Sequence, residues 1–167
     1  MVHFHTKRLT GRPFIEKDQS AVIEIVKDPV VKQTYMLPDF PTDENAIKLF
    51  QRLMTLSQGQ DHYVAAICLE DTLIGWINDT EQKDGSIELG YVIHPRYHGQ
   101  GYMTEALQAA VADLFTKGYK EVTAGAFEEN LASIRVMEKC GMVRQERQDE
   151  IEYRGAVHRC VYYAKTR

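Results

Sequence analysis

The residues whose types and spacing suggest chemistry are Arg96-Tyr97-His98-Gly99-Gln100-Gly101, set between a run of β-formers, Ser86–Ile93, and a helical pattern over 102–115. Gly99 and Gly101 carry no Cβ, so the backbone there can take positive φ and come close to an anion. The first amides of the following helix lack intrahelical acceptors, and the helix dipole favours negative charge in front of them. Arg96 and His98 add charge or hydrogen-bond donors at the same spot. The junction therefore suits a phosphate or pyrophosphate, although the same two glycines would also serve as a plain turn. A dinucleotide fingerprint is the rival reading, since Gly99-x-Gly101 opens a GxGxxG and Glu121 lies near the distance of a ribose-binding acid. Thr104 occupies the third glycine position, and hairpin strands precede the loop where a βαβ unit belongs.

Several other chemistries find no support. Cys68, Cys140 and Cys160 are an odd number without a CxxC pair, which argues against a disulfide framework or a zinc knuckle. His3 and His5 have no further ligand-spaced residues around them, so no metal site is expected. The 167 residues carry a net charge of −4, which gives no global attraction for nucleic acid or an anionic membrane. The N-terminal residues show no signal peptide, and no run approaches a membrane span, so a soluble cytoplasmic chain is expected.

The elements that position the loop can be read from periodicity. Residues 6–14 form an extended entry, and 18–26 a helix stopped at Asp28-Pro29. Thr42 caps a second helix whose Ala46, Ile47, Phe50, Leu53 and Met54 share a side. Runs 63–69 and 72–78 make a hairpin through Glu70-Asp71, and Ser86–Ile93 follows the turn Lys83-Asp84-Gly85. The helix over 102–115 ends at Gly118, Glu121–Phe127 is a strand, 130–140 a helix closed by Gly141, and 158–163 a last strand. This order predicts one α/β domain over 1–167, a mixed sheet covered by helices.

With these pieces in place the chain resembles the GNAT superfamily of N-acetyltransferases, in its RimJ/RimL-like branch. Arg96-x-x-Gly99-x-Gly101 matches the superfamily signature. Thr6-Lys7-Arg8-Leu9 with Arg12-Pro13 is similar to the branch's opening strand. Leu89-Gly90-Tyr91, His94-Pro95 and Gly99-Gln100-Gly101-Tyr102-Met103-Thr104-Glu105-Ala106 match its central block, and 130–141, from Asn130 through Ser133 to Gly141, its third. The resemblance implies a mostly antiparallel sheet of six or seven strands, splayed between Ser86–Ile93 and Glu121–Phe127 to admit acetyl-coenzyme A. Pantetheine would pair with the free edge at Val92 and Ile93. The pyrophosphate would lie on the loop from Arg96 through Tyr97, His98, Gly99, Gln100, Gly101, Tyr102 and Met103 to Thr104. Asn130 would hold the pantetheine arm, a role it shares with that of a helix N-cap.

The same resemblance implies direct transfer of acetyl to a primary amine, on a protein N-terminus or a small molecule, without a metal. A homodimer stays open, as does a coenzyme A–binding module that no longer catalyses. Many members use a tyrosine seven residues after the asparagine as general acid; here that position is Met137, and Ser133 stands in as partner of the sulfur. A helical serine can instead bond back to the preceding turn. Glu88, on the strand before the loop, is the candidate base, with an ion-paired strand glutamate as the alternative. Glu105 supports the start of its helix. Val92, Met142 and Arg159 depart from the usual pattern, so the acceptor is not readable from it.

Overall fold

The computed structural model describes residues 1–38 and 40–167. The strands are β1 (Phe4–His5), β2 (Leu9–Arg12), β3 (Val64–Leu69), β4 (Thr72–Lys83), β5 (Ser86–Ile93), β6 (Glu121–Phe127), β7 (Val143–Tyr153) and β8 (Ala156–Thr166). The helices are α1 (Gln19–Lys27), α2 (Pro29–Thr34), α3 (Asp43–Gln58), α4 (Tyr102–Thr116) and α5 (Leu131–Lys139). The strands form one sheet in the order β1-β2-β3-β4-β5-β6-β8-β7. All neighbours are antiparallel except β5 and β6.

The mixed, helix-flanked sheet agrees with the sequence reading, but it has eight strands among the described residues where six or seven were expected. β7 escaped notice because residues 143–150 are exposed and charged, leaving no apolar alternation to read. It pairs with β8 in a hairpin whose turn, Arg154-Gly155, has φ of 51° and 78° at its two residues. Asp28-Pro29 likewise does more than stop a helix. The Asp28 side chain accepts from the amides of Val30 and Val31, and Pro29 opens α2 at the position where its missing N–H costs nothing.

Two apolar cores lie on opposite faces of the sheet. On one face Ile87, Leu89, Val122 and Ala124 pack under the α4 stripe of Met103, Ala106, Leu107, Ala110, Val111 and Leu114. On the other, Trp76 and Val92 pack with Phe14 and with Phe50 of α3. The β5–β6 ladder runs only from Ser86↔Glu121 to Leu89↔Ala124. Beyond it β5 stays with β4 as far as Ile93↔Gly75, while β6 stays with β8 as far as Phe127↔Cys160. Each strand follows its outer neighbour, and a wedge opens between them.

Candidate active site

A cleft of about 600 Å³ passes through this wedge. On its lower side β5 runs into a short turn, Pro95–Tyr97, and then into α4 through Gly99 and Gly101, whose φ values are +72° and +78°. A residue with a Cβ is strained at either position. Gly101 is the N-cap of α4 but has no side chain to cap with, and its carbonyl already accepts from Glu105 N at 3.0 Å. The amides of Tyr102, Met103 and Thr104 are thus left without intrahelical acceptors. Tyr97, His98, Gly99, Gly101, Met103 and Thr104 line the cleft.

Of the other three loop residues, Arg96 and Gln100 are exposed, and Tyr102 is half-buried against the larger core. Arg96 is 73% exposed and lies 3.9 Å from Glu24. Gln100 donates its side-chain amide to the Arg96 carbonyl, and the Tyr102 ring lies under the Arg8 guanidinium, 4.4 Å from its centroid. Arg8 braces this loop, a role that motif matching did not give it. Its Nη1 donates to the Gln100 carbonyl at 3.1 Å and its Nε to Glu105 Oε2 at 2.7 Å. Thr6 Oγ1 and the Arg8 amide donate to the other Glu105 oxygen. Desolvation opposes the Glu105 charge, but these hydrogen bonds outweigh it and hold the carboxyl below its ordinary range. A carboxylate in the first turn of α4 also suits the positive end of the helix dipole.

The edge of β5 is more particular than expected. His94 N bonds to Ile74 O of β4, and the Val92 carbonyl lies against Gly75, so this set of backbone groups faces β4. Alternation turns the backbone of Tyr91 and Ile93 into the wedge. Val92 instead puts its side chain into the core. The Ile93 carbonyl already accepts from His98 Nε2 at 3.0 Å. Asn130 is the N-cap of α5, its Oδ1 accepting from Ser133 N at 3.2 Å, which leaves its NH₂ for the cleft. Ser133 lines the same cleft, with its Oγ 2.7 Å from the Tyr91 hydroxyl. Met137 is fully buried.

On the upper side, Glu88 borders both this cleft and a second hollow of about 530 Å³. Its carboxylate is engaged at both oxygens. Thr80 Oγ1 donates to Oε1 at 3.0 Å, and Arg147 Nη1 to Oε2 at 2.9 Å. Both partners stand at breaks in strand register, Thr80 between Asp79 and Glu81 of β4 and Arg147 between Arg144 and Gln148 of β7. Such bulges re-aim side chains beside functional sites. Arg147 also covers the Tyr162 ring at 3.7 Å and reaches Asp149 at 3.4 Å. The far wall includes Tyr35, which accepts from Trp76 Nε1 at 3.0 Å. The Tyr153 hydroxyl pins the β7–β8 hairpin to that wall, 2.7 Å from the Lys32 carbonyl and 2.9 Å from that of Tyr35. Arg147, Tyr162 and Tyr153 carry no motif, and no local pattern pointed to them.

All three cysteines are buried, and burial pushes the Cys68 and Cys140 thiols up to about 11, so neither is a thiolate near neutral pH. Among the described residues no group of His, Cys, Asp and Glu could hold a metal ion, and no helix is long and apolar enough to cross a membrane.

Comparison with known proteins places this geometry. The acetyltransferase (GNAT) domain family matches residues 8–143. The uncharacterized N-acetyltransferase YnaD of Bacillus subtilis is 34% identical over 152 residues, covering 86% of this chain and 84% of that protein. A GNAT-family acetyltransferase from Bacillus anthracis superposes with a TM-score of 0.86 at 28% identity, over 99% of this chain and 98% of its own. The fold is shared with RimL, a ribosomal L7/L12 alpha-N-protein acetyltransferase whose structure was solved with coenzyme A, at TM-score 0.84, 20% identity and coverage of 96% and 95%. The wedge, the two left-handed glycines and the matched domain agree: this chain belongs to the GNAT acetyltransferase family, with RimJ/RimL-type enzymes among its structural neighbours.

Proposed function

We propose that the protein is an acetyl-coenzyme A–dependent N-acetyltransferase that moves the acetyl group directly to a primary amine, with residues 1–167 acting as one catalytic domain. The observation that carries this reading is the wedge between β5 and β6, ending at Gly99, Gly101 and the open amides of α4. These groups fit a pyrophosphate, because the backbone can approach it and the helix dipole favours its charge. Pantetheine would lie along Tyr91 and Ile93, with the Asn130 NH₂ as a further donor. The wedge-facing amides of β5 are aimed where charge develops on a thioester carbonyl, and fixed donors there cost no reorganisation.

The remaining work is proton traffic. A primary alkyl amine has a pKa near ~10.4 and arrives as ammonium. Glu88 would hold that ammonium and take its proton, since each of its oxygens keeps accepting capacity beside the hydrogen bonds from Thr80 and Arg147. Ser133 is the hydroxyl placed to hydrogen-bond the departing sulfur. The acceptor is a protein N-terminus or a small amine. The test is incubation with acetyl-coenzyme A and a panel of amines and N-terminal peptides, read by released thiol and by mass spectrometry. An acetylated amine with matching thiol release is expected. Tight coenzyme A binding without any acetylated product would leave a binding module and overturn the enzymatic reading.

A further inference from the structure

The Tyr91 hydroxyl lies 2.7 Å from Ser133 Oγ and 3.2 Å from the Ser133 carbonyl oxygen. Tyr91 belongs to β5 and Ser133 to α5, so the pair joins the two jaws of the wedge beside the position assigned to the cofactor sulfur. Each partner is fixed from elsewhere. The Tyr91 ring packs against the larger core, and the Asn130 cap holds the Ser133 backbone. A serine hydroxyl left alone has three staggered rotamers and a freely turning proton, which makes it a poorly aimed donor.

The tyrosine proton has two acceptors within reach. When it goes to the carbonyl, the serine proton points back at the tyrosine oxygen. When it goes to Oγ, the serine proton is turned toward the cleft. We infer that Tyr91 is a positioning residue for acetyl transfer, holding the Ser133 hydroxyl with its proton directed at the cofactor sulfur and strengthening it as a donor there. The inference rests on Ser133 being the sulfur's hydrogen-bond partner. No proton leaves Tyr91 in this role. Burial pushes its phenol well above the ordinary value, with the Ser133 hydrogen bond opposing, so it remains a donor. Linked hydrogen bonds polarise one another, so a donor on Oγ makes the serine proton a better partner for a thiolate. The rival role is mechanical, a latch between β5 and α5 with no influence on the sulfur.

The two roles separate in the thiol titration of bound coenzyme A, followed by thiolate absorbance in the wild type, Tyr91→Phe, Ser133→Ala and the double variant. Phenylalanine keeps the packed ring and removes only the hydroxyl. The bound thiol should titrate lowest in the wild type, higher in Tyr91→Phe and highest in Ser133→Ala, with the double variant matching Ser133→Ala. In parallel, kcat toward the best amine of the panel should fall about tenfold in Tyr91→Phe, with KM for acetyl-coenzyme A little changed. If Ser133→Ala shifts the titration and Tyr91→Phe does not, Tyr91 is only a latch and the inference fails while the Ser133 role stands. Additive shifts in the double variant would overturn the inference in the same way. If Ser133→Ala leaves the thiol unmoved, the Ser133 role itself is wrong and the inference falls with it.

Discussion

The two sides of the wedge are built on different principles. Below it, residues 93–104 form one continuous stretch, and most of what they offer a ligand is backbone: left-handed glycines, helix-end amides and a strand edge. Above it, the surface is made of side chains from separate elements, Thr80 on β4, Glu88 on β5, Arg147 on β7, Tyr162 on β8 and Tyr35 after α2. On the proposed reading, the lower side binds the same group wherever this loop recurs. The upper side changes with any one of five side chains, which suits a common donor and a variable acceptor.

The sharpest break in that contrast is Gly101→Val. Its φ of +78° is costly for a β-branched residue, at roughly 1–2 kcal/mol. The nearest neighbour of an added Cβ is Arg8 Nη2 at 3.6 Å, an ordinary contact, so the cost is backbone strain and not a clash. In a chain of this size that corresponds to a Tm lower by about 2–8 °C, with the fold kept. Hydrogen bonds to charged groups are worth about 1.5–3 kcal/mol each, so losing two misaligned amides should weaken acetyl-coenzyme A binding on the order of 10²- to 10⁴-fold. Calorimetry showing unchanged affinity would remove the phosphate loop from the site.

Ser133→Ala should act on turnover and spare binding. Its amide still caps on Asn130 in the variant, so the start of α5 is preserved. A fall in kcat on the order of 10²-fold is expected, with acetyl-coenzyme A affinity within about threefold of the wild type. Near wild-type turnover in a thiol-release assay would take Ser133 out of the chemistry.

The same contrast explains what the sequence made legible. Gly99, Gly101 and the strand-to-helix switch are adjacent in the chain, so their spacing alone suggested a phosphate site, with a plain turn as the alternative. The β5–β6 separation itself came from resemblance, since nothing local marks Leu89 as the last paired residue. Val92 was named at the strand edge, yet only the register with Gly75 and Ile74 shows that Tyr91 and Ile93 face the wedge. Arg147 sits in an exposed charged strand with no apolar alternation, 59 residues from its partner Glu88. Long-range pairs between side chains leave no period and no motif, so Glu88 could be named on that side but its partners Thr80 and Arg147 could not.

Variants on the acceptor side should leave the lower side untouched. Glu88→Gln keeps the shape and the Thr80 bond but loses the charge proposed to hold an ammonium and take its proton. It should lower kcat/KM for the amine by about tenfold or more, most at low pH where the amine is hardest to deprotonate, with coenzyme A affinity unchanged. Arg147→Met removes the competitor for Glu88 Oε2 and should move KM for the amine more than kcat. If either variant weakened coenzyme A binding as strongly as Gly101→Val, the two sides would not be separable.

The smallest effect concerns the clasp that holds the lower loop, and it depends on pH. Glu105 has its carboxyl held below the ordinary value by hydrogen bonds from Thr6 and Arg8, against the opposing cost of desolvation. A carboxyl lowered on folding stabilises the folded state fully above its unfolded pKa, near ~4.3. That contribution is lost as pH falls through the depressed folded value. Glu105→Gln mimics the protonated form and removes the charge that Arg8 pairs with. The Tm gap between wild type and this variant should therefore be constant from neutral pH down to roughly 5 and close below ~4.3. Arg8 is 39% exposed in this pair, so solvent screening keeps the gap to about 2–4 °C at most. The gap for Arg8→Met should close only in part, because the ion-pair share vanishes on protonation of Glu105 while the bond to the Gln100 carbonyl and the contact with Tyr102 are lost at every pH. A gap that persisted unchanged to pH 3 would mean that Glu105 supports the loop through its hydrogen bonds alone and not through its charge.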